Sequence, residues 1–235
     1  MAATEITLLY TARLAGRLDL LPRLFGSIQA ARAASAGPVI LLDLGGSCHP
    51  AAWECAATEG RAALFVLEAM GYDLACLSVD DCQRMSPGAA QRLQEATHLP
   101  ICGAVELGLP PVVTVEAGGQ RIACQSPAAP QAAVPPGISL LIRPDEAGQA
   151  PRLESAARTL WLPLPDGALG AVAVSLAQDD AGRWKPVAIA QLPVVAVPER
   201  ADPVIAATVA FVREEARLYR RRLEQPQETG QGGRS

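Results

Sequence analysis

Side chains that could do chemistry cluster in two short segments of the 235-residue chain, GGSCHP and VDDC. In chain order these residues are Ser47, Cys48, His49, Asp80, Asp81 and Cys82. Thiolates, imidazoles and carboxylates are the ligands that hold zinc in proteins, and a thiol beside a cation is a nucleophile because the cation lowers its pKa. The two segments therefore indicate a zinc site or a reactive thiol. The alternative is that they are polar loop residues, since adjacent Cys and His chelate one metal poorly.

Both segments follow apolar runs that are typical of buried strands. VILLDL contains the acidic residue Asp43 and ends just before the first segment, and YDLACLS ends just before the second. A third strand, ITLLY, leads into a loop that contains Arg13. Strands that alternate with helices form parallel sheets, whose sites lie at the carboxyl ends of the strands. We therefore expect the loops over residues 11–18, 45–57 and 79–85 to meet at one edge of the sheet.

Two glycines and a serine after VILLDL offer a further interpretation. The backbone amides of Gly45, Gly46 and Ser47 could hold a small anion, and Arg13 from the neighbouring strand would add a positive charge. The segment is not a phosphate-binding P-loop, because it lacks the lysine and the spacing of that motif. A tight turn is the simpler alternative, in which Asp43 hydrogen-bonds amides of the loop and takes no part in catalysis.

The rest of the chain supplies further helices and strands. Apolar residues three and four apart predict helices over residues 19–34, 58–71 and 86–98, and LPICGAV predicts a fourth strand of the parallel sheet. From residue 112 the pattern changes to a hairpin around two glycines, several short strands in a mixed or antiparallel set, and a last helix that Asp202 caps.

Composition limits the classes of function. The chain carries 20 basic and 24 acidic residues, and a net charge of -4 does not indicate a nucleic-acid-binding surface. It has no apolar run of about 18 residues, so no membrane span is predicted, and its start lacks the pattern of a secretory signal. We expect a cytoplasmic protein whose six cysteines are reduced, with one domain over residues 1–224 and a disordered polar tail over 225–235.

The order of these segments resembles the metallophosphatase domain of the 5'-nucleotidase branch of the calcineurin-like phosphoesterases. That family opens with a strand such as ITILHTND-x-HG, where this chain has ITLLYTARLAG, and continues with LLLDAGD, where this chain has ILLDLGG. AMGYD, a hairpin around two glycines and a late segment before the last helix follow in the same order. The resemblance extends to Tyr219 and implies an α/β fold, a mixed-sheet two-layered sandwich flanked by helices in four layers, α/β/β/α.

The resemblance also implies a site for two divalent metals, but the ligand positions hold other residues. Where the family has Asp-x-His after the first strand, this chain has Arg13 and Ala15. The metal-bridging Asp after the second strand corresponds to Gly46, and the Asn-His pair of the third loop corresponds to Val79 and Asp80. Two histidines in the whole chain are fewer than such a site uses, and Arg13 would repel a metal. We therefore expect no metal cofactor.

Together these observations predict a catalytically degenerate protein of this fold. It would act as a scaffold for a protein partner or for a second copy of itself, or as a sensor of a small anion, without hydrolysing phosphoesters. The alternative is an active hydrolase, or a thiol- or metal-dependent enzyme, with a site rebuilt from Cys48, His49, Asp80 and Cys82.

Overall fold

The computed structural model of the chain describes residues 5–49, 51–130, 132–194 and 201–224. The polar tail predicted over residues 225–235 lies outside these ranges. Within them, no helix combines the length and the apolar character that crossing a bilayer requires.

The strands form two sheets. In chain order they are β1 Glu5–Thr11, β2 Val39–Asp43, β3 Leu74–Cys76, β4 Ile101–Cys102, β5 Val112–Ala117, β6 Gln120–Gln125, β7 Leu140–Asp145, β8 Arg152–Glu154, β9 Thr159–Pro163, β10 Gly170–Gln178 and β11 Trp184–Pro193. The first sheet has the order β11-β10-β1-β2-β3-β4, in which β1 to β4 run parallel. The second has the order β5-β6-β7-β9-β8 and mixes parallel with antiparallel pairs. The parallel first half and the mixed second half that the sequence predicts are therefore confirmed.

The helices connect and cover the strands. In chain order they are α1 Leu21–Ala34, α2 Trp53–Ala57, α3 Arg61–Ala69, α4 Val79–Arg84, α5 Pro87–Ala96 and α6 Pro203–Glu224. Ser86 caps α5 by accepting a hydrogen bond from the amide of Ala89, and Asp202 caps α6 by accepting from the amides of Val204 and Ile205. The sequence predicts loops where α2 and α4 form, because helices of five and six residues are too short to show an apolar face.

Two apolar layers hold the fold together. The first lies between the two sheets and contains alternate residues of β1, among them Ile6, Leu8 and Tyr10. The second lies between the first sheet and the helices and contains Leu9 of β1 and Leu67 of α3. Because β1 is covered on both faces, its sequence is apolar without alternation. The predicted α/β sandwich of two sheets is confirmed. The described residues form three of its four expected layers, one of helices and two of sheets, and do not form the second layer of helices.

Replacing a core leucine of β1 tests this packing. Leu8 is fully buried between the sheets, so Leu8→Ala should lower the free energy of unfolding by about 3 kcal/mol, because it leaves a cavity. Leu169→Ala is the matched control, since Leu169 is 72% exposed and its truncation should change stability by less than about 0.5 kcal/mol. Urea unfolding followed by circular dichroism measures both, and equal losses would contradict the placement of β1.

Candidate functional site

The loops that follow β1 and β2 run side by side at the carboxyl ends of these strands. The amides of Arg13 and Ala15 donate hydrogen bonds to the carbonyl oxygens of Gly45 and Gly46, at 2.7 and 2.9 Å. Arg13 and Ala15 have φ angles of +52° and +53°, which residues with a side chain seldom adopt. Arg13 is exposed. The first two of the three predicted loops therefore meet at one edge of the sheet, with Arg13 against the turn that follows β2.

Gly46 occupies the position that the resemblance assigns to the metal-bridging acid. Its φ angle is +73°, and a Cβ atom there would lie 3.2 Å from the Cα of Arg13. A side chain at this position would be strained by the backbone and crowded by the neighbouring loop. The amide of Gly46 donates a hydrogen bond of 3.0 Å to Oδ2 of Asp81. The local structure therefore favours glycine here, and an acid would fit only if the loop that holds Arg13 moved.

Asp43, the last residue of β2, is completely buried beneath this turn. Its Oδ1 accepts hydrogen bonds from the amide of Gly45 at 3.2 Å and from the hydroxyl of Ser47 at 2.5 Å. Burial raises the pKa of Asp43 to about 7, the hydrogen bonds from Ser47 and Gly45 oppose that rise, and the negative charge of Asp81 adds to it. The carboxyl group holds the turn together, which is the structural role that the sequence favours.

Asp81 joins the start of α4 to the same turn. Its Oδ2 accepts hydrogen bonds from the amide of Ser78 at 2.9 Å and from the hydroxyl of Ser78 at 2.7 Å, in addition to the one from Gly46. The hydroxyl of Ser78 accepts in return from the amide of Asp81 at 3.1 Å, which completes a capping box. The amides of Gly45 and Gly46 therefore both donate to carboxylates. Two of the three amides of the predicted anion cradle, which also included Ser47, are therefore already used within the chain.

Cys48 is bonded to Cys55 in a disulfide whose Cα atoms lie 5.7 Å apart. The expectation that all six cysteines are reduced is wrong for this pair. A sulfur atom in a disulfide is neither a nucleophilic thiolate nor a zinc ligand, so the rebuilt site predicted around Cys48 lacks its thiol in this state. The two cysteines lie seven positions apart, a spacing that belongs to no motif, and the sequence therefore carries no signal for their pairing.

The remaining predicted residues do not converge on one centre. His49 is exposed, and its Nδ1 accepts a hydrogen bond of 3.1 Å from the amide of Ala51. Asp80 is exposed in the first turn of α4, whereas Cys82 is buried, and burial raises the pKa of its thiol. Across the described ranges, no group of three or more His, Cys, Asp or Glu residues could hold a metal ion. The zinc site that the sequence indicates is therefore not assembled.

A cavity of about 270 Å³ lies between the loop after β2 and the helices α2 to α5. Four of the predicted residues line it: Ser47, Cys48, His49 and Asp81. The other five lie outside its wall: Arg13, Asp43, Gly46, Asp80 and Cys82. Leu64 of α3 and Met85, just before α5, contribute apolar surface. The cavity therefore brings together part of the predicted set in an environment that is mainly apolar.

A second group of sulfur atoms, which the sequence does not reveal, lies in the core between the two sheets. The Sγ of Cys76 is 3.0 Å from that of Cys102 and 3.4 Å from that of Cys124, and all three residues are buried. Cys76 and Cys102 occupy paired positions of β3 and β4, whereas Cys124 comes from β6 in the other sheet. The sequence places each cysteine in an apolar strand, but their meeting depends on how the two sheets pack.

Comparison with known proteins identifies the fold. No protein-family model and no curated protein sequence matches the chain. Among solved structures, the NAD nucleotidase NadN of Haemophilus influenzae matches 93% of this chain with a TM-score of 0.64 and 11% identity. The calcineurin-like phosphoesterase YfkN of Bacillus subtilis matches 94% with a TM-score of 0.60 and 13% identity. The 5'-nucleotidase precursor of Thermus thermophilus matches 94% with a TM-score of 0.58 and 13% identity.

These matches cover different shares of the other proteins. The chain spans 61% of NadN, 59% of the Thermus protein and 100% of the YfkN chain. At such low identities the likeness concerns the fold alone. The chain therefore has the metallophosphatase-like fold that the resemblance implies.

The burial of Asp43 predicts how stability depends on pH. Its pKa of about 7 in the folded chain lies above the ordinary value of 3.8, so between these two values the folded chain keeps a proton that the unfolded chain has released. The free energy of unfolding should therefore fall as the pH rises from about 4 to about 7, by up to about 1.4 kcal/mol per pH unit, and level off at higher pH.

Two variants identify the titrating group. Asp43→Asn cannot titrate and should lose this slope, whereas Asp80→Asn, which changes an exposed acid nearby, should keep it. Urea unfolding at a series of pH values between about 5 and 8 gives the free energy of unfolding against pH for the wild type and the two variants. The same slope in all three proteins would show that Asp43 is not the group responsible.

Proposed function

We propose that the chain is a catalytically degenerate protein of the metallophosphatase-like fold, which binds a small ligand beside its strand-end loops without hydrolysing a phosphoester. The observation that carries this proposal is that the acids at this edge of the sheet accept hydrogen bonds from the chain itself. Asp43 and Asp81 both accept hydrogen bonds from their own loops. A carboxylate with these partners holds the turn in place and would have to give them up to bind a metal.

The residues do not fit the two divalent metals that the fold implies. Such centres hold two ions about 3.5–4 Å apart with several fixed ligands. The resemblance implies that these ligands are carboxylates and imidazoles. At the corresponding positions this chain has Arg13 and Gly46, and a side chain at Gly46 would be crowded by the backbone of Arg13. Arg13 also brings a permanent positive charge to the edge where the cations would lie. We therefore assign no metal-assisted step to this site.

The charges around the cavity favour a neutral, largely apolar ligand over an anion. Its wall includes the carboxylates of Glu59 and Asp81, and no lysine or arginine is among the described residues that line it. Arg13, the cation expected to bind an anion, lies outside the wall. A phosphate or a carboxylate in the cavity would therefore meet the negative charge of Asp81 and no positive group of the wall itself, although Glu59 forms an ion pair with Arg92.

The alternative of an enzyme with a rebuilt site has weaker support. A catalyst built on Cys48 needs a free thiolate, and Cys48 is bonded to Cys55. Asp80 and Cys82 lie outside the cavity that Cys48 and His49 share. Binding of a protein partner, or of a second copy of the chain, stays a prediction.

The proposal predicts that metal-dependent hydrolysis is absent. The purified chain, supplied in turn with Mn²⁺, Zn²⁺ and Mg²⁺, should release no phosphate from 5'-AMP and no nitrophenol from bis(p-nitrophenyl) phosphate above the buffer background. Asp43→Asn is the matched control, because the activity of a contaminating phosphatase would persist unchanged in it. A metal-dependent rate that falls at least about tenfold in Asp43→Asn would show a catalytic acid and refute the proposal.

Adding the acid that the resemblance calls for should not create a metal site. Gly46→Asp and Gly119→Asp place the same side chain at φ angles of +73° and +74°, but of the two only Gly46 has neighbouring atoms within 4 Å of the added Cβ. Gly119→Asp should cost about 1 kcal/mol of stability, and Gly46→Asp at least about 1 kcal/mol more, because the loop that holds Arg13 must move. Urea unfolding and the same hydrolysis assay check this. An equal loss of stability in the two variants, or hydrolysis gained by Gly46→Asp, would contradict the claim that the loop of Arg13 excludes an acid at position 46.

A further inference from the structure

The disulfide between Cys48 and Cys55 forms part of the wall of the cavity. Cys48 is half-buried in the loop after β2, whereas Cys55, in α2, is 4% exposed. Cys76 and Met85 also line this space of about 270 Å³, although the thiol of Cys76 contacts Cys102 and Cys124 in the layer between the two sheets. The disulfide therefore borders a volume that a small molecule could enter.

We propose that this cavity is a thiol–disulfide exchange site, in which the disulfide between Cys48 and Cys55 oxidises a low-molecular-weight thiol. The volume is close to the lower end of the range for small-molecule pockets, which begins at about 300 Å³. This activity goes beyond ligand binding. It does not depend on whether the chain hydrolyses phosphoesters.

The exchange consists of two balanced steps. The thiolate of a first thiol attacks Sγ of Cys48, which is the more exposed of the two cysteines, and forms a mixed disulfide while Cys55 leaves as a thiolate. A second thiolate attacks the sulfur of the first thiol, which releases a small-molecule disulfide and leaves Cys48 as a thiolate. The two thiols lose two electrons and two protons in all. The cysteines take up the electrons, and water carries the protons to their thiolates.

The surroundings of Cys48 suit both redox states. Its Sγ lies 3.6 Å from the carbonyl oxygen of Gly60, which is placed to accept a hydrogen bond from the thiol after reduction. The two carboxylates of the wall, which would otherwise repel a thiolate, already have partners. Asp81 is hydrogen-bonded within its own loops, and Glu59 forms an ion pair with Arg92.

The third cysteine of the wall is not expected to take part. Cys76 contacts Cys102 and Cys124, and these sulfur contacts, together with burial, raise the pKa of its thiol. A protonated thiol is a poor nucleophile. Cys76 should therefore stay reduced while Cys48 and Cys55 exchange.

The uncharged thiol 2-mercaptoethanol tests the proposal on the full-length oxidised chain. It is added in excess, acid stops the reaction, the free thiols are alkylated, and mass spectrometry identifies the modified peptides. We expect reduction at least about tenfold faster in the folded chain than in the urea-unfolded chain, with 2-mercaptoethanol attached first to Cys48 and none on Cys76. A slower reaction in the folded chain, or an adduct that forms first on another cysteine, would indicate a purely structural disulfide and overturn the proposal.

Narrowing the cavity gives an independent test. Ala56 lines the cavity from an exposed position on α2, and Ala57, the next residue of that helix, does not line it. Ala56→Leu should slow the reaction with 2-mercaptoethanol by at least about fivefold, while Ala57→Leu should leave the rate unchanged. Urea unfolding verifies that both variants are folded. Equal rates in the two variants would show that the thiol does not enter through the cavity, and would overturn the proposal without bearing on phosphoester hydrolysis.

Discussion

The carboxylate of Asp81 makes the contact on which the candidate site depends, because it joins the turn after β2 to the start of α4. It accepts hydrogen bonds from Gly46 on one side and from Ser78 on the other, while Asp43 supports the same turn from the buried side. The carbonyl groups of this turn bind the loop after β1, which holds Arg13 at a positive φ angle. Removing that one carboxylate would therefore weaken the hydrogen bonds that position both loops at this edge of the sheet.

The same contact is the physical basis of the proposal that this metallophosphatase-like fold has a site without hydrolytic chemistry. In a binuclear centre, the acids at the strand ends bind metal ions. Here Asp43 and Asp81 bind amides and hydroxyls of their own loops. A hydrogen bond to a charged group contributes about 1.5–3 kcal/mol, so turning Asp81 toward a metal would cost the turn much of what stabilises it, and turning Asp43 would remove its bonds to Gly45 and Ser47. Ions would also have to approach Arg13, whose charge opposes them.

Much of the fold could be predicted because it rests on local patterns. Apolar runs indicate β1 to β3, serine and aspartate caps indicate the starts of α5 and α6, and two glycines indicate the hairpin of β5 and β6. The site was harder to predict, because it depends on contacts between segments far apart in sequence. Ser47 and Asp81 each have an ordinary sequence context, and only the folded chain shows that their hydrogen bonds hold one turn. The pairing of Cys48 with Cys55 likewise depends on α2, a helix too short to leave a pattern.

Metal binding at equilibrium tests the central claim most directly, because it does not require the right substrate. The purified chain is dialysed against Zn²⁺ or Mn²⁺ at neutral pH, and the bound metal is measured by inductively coupled plasma mass spectrometry, with Asp43→Asn beside it. Because Asp43 and Asp81 accept hydrogen bonds from their own loops, we expect less than about 0.1 metal ion per chain, and the same value in the variant. About two ions per chain in the wild type, reduced in Asp43→Asn, would contradict the account, since that stoichiometry is the one a binuclear centre requires.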